Sequence, residues 1–569
     1  MAENTLNNFQ EAIEAISKDY KGLEKALSEQ LKKYNTIEEK NIDDLTEMKI
    51  KSFERLCSEN IFNFYANRVN DSNYFPFISE NIEEIVAKYG QSFNEYEARE
   101  SEKKLTPSEA NFIRKEYSKF SHFLDKLLRV LQTNGSGKLK QSLSPQNPTA
   151  FEEAMAMSFL GYAIKSISMG HLDTELALRL LDIVQQYPDT IGPEFSKSIK
   201  MEKIPCWIFL KWLPLMMHIF NSPCAPYFQP LFDKILNLYP DAIIYPFFTT
   251  YDDFDEDDKS QNARYIKEFK DQFQDKFSPT NEFIIQLNNL TYPEHRCKYF
   301  FDLLNDIIQT ERTNPSIAIP KFTKVLDKMY EELFQADRLS GSYNKEFGKK
   351  YSNYKKIFGE RFRGMLDNLK NNPGILKQQL DKEIAAISDA APKRGGEDKL
   401  DKFSDWLARF EGNEKIEIPG QYQGNKEPIR ETNITISSFD KTVLILSSIR
   451  KPKRLVIYGS DAKKYMFLVK GIEDIRLDQR IEQLFSFMND IFKNDPTCYS
   501  KELSLATYLV IPMTKKLGIL EWVPNTKPLR EIMEEELIKT EPGASLDLKP
   551  ENQIVFQRGK WFRDLVQSI

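Results

Sequence analysis

The stretch KYMFLVKGIEDIRLDQRIEQLF, residues 464–485, decides how this chain is read. A short apolar run, Phe467, Leu468 and Val469, has the texture of a strand and delivers Lys470 at its end. A helix then opens with Glu473, Asp474 and Asp478 in or near its first turn. Phosphate handling needs a cation whose own position is fixed by a carboxylate. A lysine at a strand end with acids three and eight residues later can supply both. On spacing alone the plainer reading, a surface lysine beside a helix start that favours acids, is the better supported.

Working outward, short β-branched runs at residues 432–438, 442–447, 454–458, 465–469, 507–512 and 517–523 are split by turn-type residues, with one helix at 476–492 between them. That pattern predicts a small, mainly antiparallel sheet with an inserted helix. Everything upstream reads as helix. Leu6, Phe9, Ile13, Ile16, Tyr20, Leu23, Leu27, Leu31 and Tyr34 recur at spacings of three and four. Helical patterning returns through Phe62 and at residues 112–131, 151–183, 205–238, 265–290 and 319–410. Residues 134–148 (NGSGKLKQSLSPQNP) and 388–399 (SDAAPKRGGEDK) read as exposed linkers. Helix after helix with short breaks and no fixed-length signature suits an α-solenoid. The predicted class is therefore mainly α, a helical solenoid followed by an α+β module.

Composition narrows the function. Hydrophobic residues at 41% and charged residues at 29% exclude disordered and fibrous classes. With 79 Lys+Arg against 85 Asp+Glu the chain is not a globally basic nucleic-acid binder. Cys57, Cys206, Cys224, Cys297 and Cys498 lack CxxC spacing and read as free thiols of a reducing compartment. The first residues lack a basic n-region and an apolar h-region, so the reading is intracellular. The most apolar stretch, 204–220, is interrupted by Lys211, Pro214 and His218 and is not expected to span a membrane.

Five longer stretches carry a resemblance. LSSIRKPKRLVIYGSD (446–461), FLVKGIEDIRLDQRIEQLFSFMNDIF (467–492) and TYLVIPMTKKLGILEWVPNT (507–526), in this order, closely resemble the amino lobe of the phosphatidylinositol 3-kinase-related protein kinases. IPCWIFLKWLPLM (204–216) and YPDAIIYPFF (239–248) look like the end of the helical FAT region that precedes the kinase in that family. IEIPGQY (416–422), DQRIEQLF and VIPMT…LGILEW are most similar to its DNA-repair branch, and the rapamycin-target branch words each differently. The likeness is specific over about 204–526 and only architectural before that.

The resemblance implies a domain plan: a FAT-like arm at 1–133, a linker at 134–148, FAT-like helices at 149–317, and a helical insertion like the rapamycin-binding segment at 318–410. An amino lobe at 411–525 and the start of a carboxyl lobe at 526–569 complete it. It also implies an ATP site. The turn 447–452 would cover the phosphates, and because it is poor in glycine the hydroxyls of Ser447 and Ser448 and backbone amides before Pro452 would cradle them. Lys470 would contact phosphate, oriented by Asp478 and Glu473. Leu446 and Leu468 would wall the pocket, Tyr508 would lie behind the adenine, and Trp522 with the Val523 backbone would form the hinge. Further implications are protein Ser/Thr substrates, a nuclear location, and activation by DNA ends with the Ku heterodimer.

The catalytic half is not legible. The histidines, His122, His171, His218 and His295, all precede the amino lobe, and no DFG tripeptide occurs in the sequence. The expectation is that this chain does not transfer phosphate alone, and that Mg²⁺ binds only with a carboxyl lobe supplied. Other signals carry less. Residues 341–366 alternate aromatic and basic side chains, which can bind single strands, but at helical spacing they read as a core stripe with a basic outer face. The acidic run 252–258 lacks the Gly and Glu of an EF-hand loop, and GSGK at 135–138 lacks the rest of a phosphate-loop motif. His218 and Cys224 read as packing.

Overall fold

A computed structural model describes residues 106–133, 148–170, 174–251, 261–276, 278–311, 314–335, 339–351, 371–390, 392, 395–422 and 426–540. The stripe at 6–34, the segment around Phe62, the phosphate-loop-like GSGK and the acidic run 252–258 lie outside these residues, as do all but the last residue of the 134–148 linker. The helices are α1 (Pro107–Thr133), α2 (Pro148–Ser168), α3 (Thr174–Gln186), α4 (Pro188–Lys200), α5 (Ala225–Leu238), α6 (Pro240–Tyr251), α7 (Gln261–Lys276), α8 (Ser278–Asn288), α9 (Pro293–Thr310), α10 (Pro315–Phe334), α11 (Ser342–Lys350) and α12 (Pro373–Ala390). Then come α13 (Asp405–Arg409), α14 (Arg476–Asn494), α15 (Pro496–Ser500) and α16 (Leu529–Thr540). Many of them open on proline, which fixes φ for the first turn and forfeits only an N–H that has no partner inside the helix. The predicted class, helices followed by a small antiparallel sheet, is the observed one.

The strands are β1 (Gly396–Lys399), β2 (Ile436–Phe439), β3 (Thr442–Ile445), β4 (Lys453–Gly459), β5 (Lys464–Gly471), β6 (Val510–Thr514) and β7 (Leu517–Glu521). They form one sheet in the order β1-β3-β4-β5-β7-β6, with β2 paired to β4. Alternation is strict where it matters: in β5, Phe467 and Val469 are buried while Leu468 and Lys470 point to the other face. The β4–β5 register sets Arg454 opposite Leu468 and Lys453 opposite Val469.

Three expectations need correction. Residues 388–399 are not all linker, because Gly396–Lys399 pair antiparallel with Thr442–Ile445. GEDK has no apolar pattern, and as an exposed edge strand it depends on main-chain bonds to β3, which leave no trace in composition. The helical patterning expected over 205–238 resolves into a 3₁₀ stretch (Cys206–Trp212), one α-turn (Leu213–Met216), a second 3₁₀ stretch (Met217–Asn221) and α5. Trp207, Phe209, Leu210, Trp212, Leu213, Met216, Met217 and Phe220 are all buried. A segment with this many buried apolar side chains is shaped by what surrounds it, and its prolines favour tight turns over one long helix. The patterns at 151–183 and 265–290 each divide into two helices, α2 with α3 and α7 with α8.

One hydrophobic cluster runs from Ile113 in α1 to Ile519 in β7, so helices and sheet share a core. Phe283 of α8 stacks on Phe439 of β2 with centroids 5.9 Å apart, and α6 packs on β6. On the covered face of β4, Lys453 lies 3.9 Å from the centre of the Tyr292 ring. Burial pushes this lysine down to about 7, while the ring face favours its charged form. The described part of the basic-aromatic segment turns Tyr343 onto Phe403 and buries Phe347 against Phe334. Cys206, Cys224 and Cys297 are buried free thiols, and Cys498 is half-buried and free. No helix among the described residues is long and apolar enough to cross a membrane. The described residues up to Leu520 form one compact unit and those from Glu521 onward a second. In the second, α16 carries the ion pair Arg530–Glu534 at 2.7 Å and buries Leu537.

At the start of α6, burial, reinforced by nearby Glu417, pushes Asp241 up to about 6 despite Arg430 at 3.7 Å. Between about pH 4 and pH 6 the folded chain keeps a proton that the unfolded chain has lost, so stability falls as pH rises through that window. Asp241→Asn is therefore expected to raise Tm at pH 7 relative to the parent and to leave it nearly unchanged at pH 4. Thermal melts at the two pH values check this.

Candidate functional site

Lys470 is the penultimate residue of β5, on the face opposite the covered core. Its side chain is 22% exposed, and its Nζ stands 3.9 Å from Glu473 Oε1 and 3.9 Å from Asp478 Oδ2. Glu473 sits in the turn after the strand and Asp478 in the first turn of α14, so the helix start brings the second acid to the lysine. Both distances exceed hydrogen-bond length, and all three donors of the ammonium remain open to an anion. Pairs this loose at a half-exposed site contribute about 0–1 kcal/mol each.

The roof of the site is the β3–β4 turn. Leu446 N–H donates to the Pro452 carbonyl at 3.0 Å, and Lys451 N–H to the Ser448 carbonyl at 3.2 Å, which closes the bend. Ser447, Ser448, Ile449 and Arg450 are exposed on it. Arg450 reaches down to Glu473, Nη1 to Oε2 3.6 Å, so one carboxylate meets both the roof and Lys470. The register puts Leu444 opposite Arg454, and Arg454 opposite Leu468. Leu446, two residues past Leu444, thus shares a sheet face with Leu468 and Lys470. Leu468 packs on Ile475, Val510 and Leu520, which form the wall behind it.

Tyr508 precedes β6 rather than lying within it. It is 36% exposed and its N–H donates to Glu482 Oε2 at 3.3 Å. Burial first, then the charges of Glu482 and Asp478, push its hydroxyl above the ordinary tyrosine range. Trp522 and Val523 belong to the second unit, where Trp522 is half-buried, Val523 is exposed, and the Val523 carbonyl accepts from Thr526 Oγ1 at 3.0 Å. Among the described residues no group of three or more His, Cys, Asp or Glu stands together as a metal site.

The helices hold α14 from outside. Gln483 Nε2 donates to the Lys211 carbonyl at 3.1 Å, Arg480 donates to the Pro214 carbonyl, and Lys211 Nζ lies 3.5 Å from Asp490. The segment that resembles the FAT end therefore fixes the helix bearing Asp478. Sequence reasoning missed two groups that shape the site. Thr291 meets Gly471: a Cβ on that glycine would lie 1.8 Å from Thr291 Oγ1. The Lys516 carbonyl accepts from Ile472 N–H at 2.5 Å. Both are distant in sequence, and only the glycine itself hinted at a close approach.

With this geometry in hand, residues 464–562 match the phosphatidylinositol 3- and 4-kinase family. The chain is 35% identical over 442 residues to the DNA-dependent protein kinase catalytic subunit of Dictyostelium discoideum, covering 74% of this chain and 10% of that protein. It is 32% identical over 384 residues to the protein of the same name from Xenopus laevis, covering 65% of this chain and 9% of that one. Serine/threonine-protein kinase TOR of Arabidopsis thaliana is 36% identical over 121 residues, 21% of this chain and 5% of that protein. The chain thus spans about a tenth of the length of the relatives it matches over most of its own.

Gly471→Ala is expected to destabilise the chain by about 1–3 kcal/mol through the contact with Thr291. Gly161→Ala in α2, where nothing lies within 4 Å, should leave Tm unchanged or raise it. Paired thermal melts of the two variants check this.

Proposed function

This chain belongs to the phosphatidylinositol 3-kinase-related protein kinases, and from that premise we propose that residues 446–520 are the ATP-gripping half of a protein serine/threonine kinase. The observation that carries the reading is Lys470 held loosely between Glu473 and Asp478 beneath a serine-bearing turn. Lys470 meets the phosphates, while Asp478 and Glu473 keep it in place. Ser447 and Ser448 with the backbone up to Pro452 cover the phosphates. Leu446 and Leu468 wall the pocket, and Tyr508 lies behind the base. ATP supplies the phosphoryl group, and these residues bind, orient and shield it. Magnesium ligands and the group that takes the substrate hydroxyl proton come from a carboxyl lobe, the partner this half-site requires.

We place the complete enzyme in the nucleus, acting in double-strand-break repair by end joining, with DNA ends and the Ku heterodimer as activating partners. What supports this is the extent of likeness: 442 residues align with a kinase named for DNA dependence, against 121 with TOR.

Lys470→Ala is expected to weaken binding of a fluorescent ATP analogue to this chain at least about ten-fold and to abolish activity of the complete enzyme, since it deletes one of the phosphate charges. Tm should move by no more than about 2 °C, because only weak, half-exposed ion pairs are lost. Unchanged nucleotide affinity would sink the assignment.

A second expectation concerns α14, whose Leu477, Ile481, Leu484 and Ile491 are exposed, Leu477 to 69%. Such a stripe is costly in water, and we assign it to contact with the carboxyl lobe. This chain alone should self-associate as concentration rises, and Leu477→Asp with Leu484→Asp should suppress it. Sedimentation velocity showing a monomer throughout would count against this.

A further inference from the structure

The turn that presents Glu473 is under strain. Gly471 closes β5 against Thr291, and Ile472, a β-branched residue, follows in the left-handed region at φ 60°. Such a backbone is a genuine outlier for isoleucine and persists only where its surroundings over-determine it. Here they do. The N–H groups of Ile472 and Glu473 both converge on the Lys516 carbonyl, at 2.5 and 3.4 Å.

Lys516 is itself fixed by its side chain. It occupies the β6–β7 turn, yet its Nζ contacts Glu332 Oε1 of α10 at 2.5 Å. The same ammonium lies 4.7 Å from the centre of the Phe300 ring of α9. Both partners of the ion pair are largely shielded from solvent. Removing one would leave a buried, uncompensated charge, which the structure relieves by moving the other out.

We infer that Lys516 is a positioning residue for the Lys470 site, its ammonium anchored by Glu332 and Phe300 while its carbonyl holds the Ile472–Glu473 turn in the shape that aims Glu473 at Lys470 and Arg450. Helices α9 and α10 then set the geometry of a carboxylate carried by a turn elsewhere in the chain. A shift of α10 draws Glu332 from Lys516, frees the turn from its shared acceptor, and lets Glu473 swing away from both cations. The consequence for nucleotide binding rests on the ATP reading above. The mechanical link does not.

The test uses this chain with Glu332→Gln, which keeps volume and removes charge. Hydrogen exchange at the Ile472 and Glu473 amides should rise while β4 and the body of β5 stay protected. Affinity for the fluorescent ATP analogue should fall about ten-fold, within the range for coupling through a packed network. In a Lys470→Ala background, Glu332→Gln should add no further loss, and Lys516→Arg should keep both protection and affinity. If Glu332→Gln lowers Tm by more than about 10 °C, Glu332→Asp replaces it with the same expectations. Unchanged exchange at the two amides overturns the inference. If Lys470→Ala leaves nucleotide affinity intact, the ATP reading fails, and the exchange data still decide the link.

Discussion

A lysine that is to meet phosphate must stay charged and within reach of a cleft, yet not be consumed by its own partners. Burying Lys470 as deeply as Lys453 would disfavour its charged form, and a tight pair with one acid would occupy its donors. The structure avoids both. The strand end keeps the ammonium partly in solvent, and two carboxylates stand just beyond hydrogen-bond length on either side. Apart from the strand itself, the surrounding parts serve this arrangement by fixing where those two acids sit.

Each acid is placed by a different support. Asp478 rides on α14, which the 3₁₀ stretch and the turn after it clasp through the carbonyls of Lys211 and Pro214. Glu473 rides on a strained turn bound to Lys516 and abutting Thr291. Helices far upstream in sequence are thereby structural parts of the site. The shared hydrophobic cluster explains why such weak polar contacts suffice: the core fixes the elements, and hydrogen bonds only trim their orientation.

The sheet has two unlike faces for the same reason. One is covered by helices and holds Lys453 beneath Tyr292, where an aromatic face compensates a buried cation. The other carries Leu468, packed on Ile475, Val510 and Leu520, and the part-exposed Lys470. A strand period of two assigns adjacent lysines of the pattern to opposite fates, and no composition measure separates them.

Local pattern alone settled a good deal. The apolar run Phe467 to Val469 marked the strand that delivers Lys470, and the helix after the next turn was legible in its own pattern. Strands β3, β4, β5 and β7 and helix α14 were legible because each is driven by its own side chains. What tertiary structure decided is whatever depends on a distant partner. The edge strand Gly396–Lys399 exists only because β3 offers bonds to it, and residues 205–221 coil tightly because neighbours bury most of their apolar side chains. Arg450 finds Glu473 across the turn, and Thr291 and Lys516 grip Gly471 and Ile472 from far along the chain. A sequence records the propensity of each residue, but the grip that holds a strained turn belongs to pairs that only folding brings together.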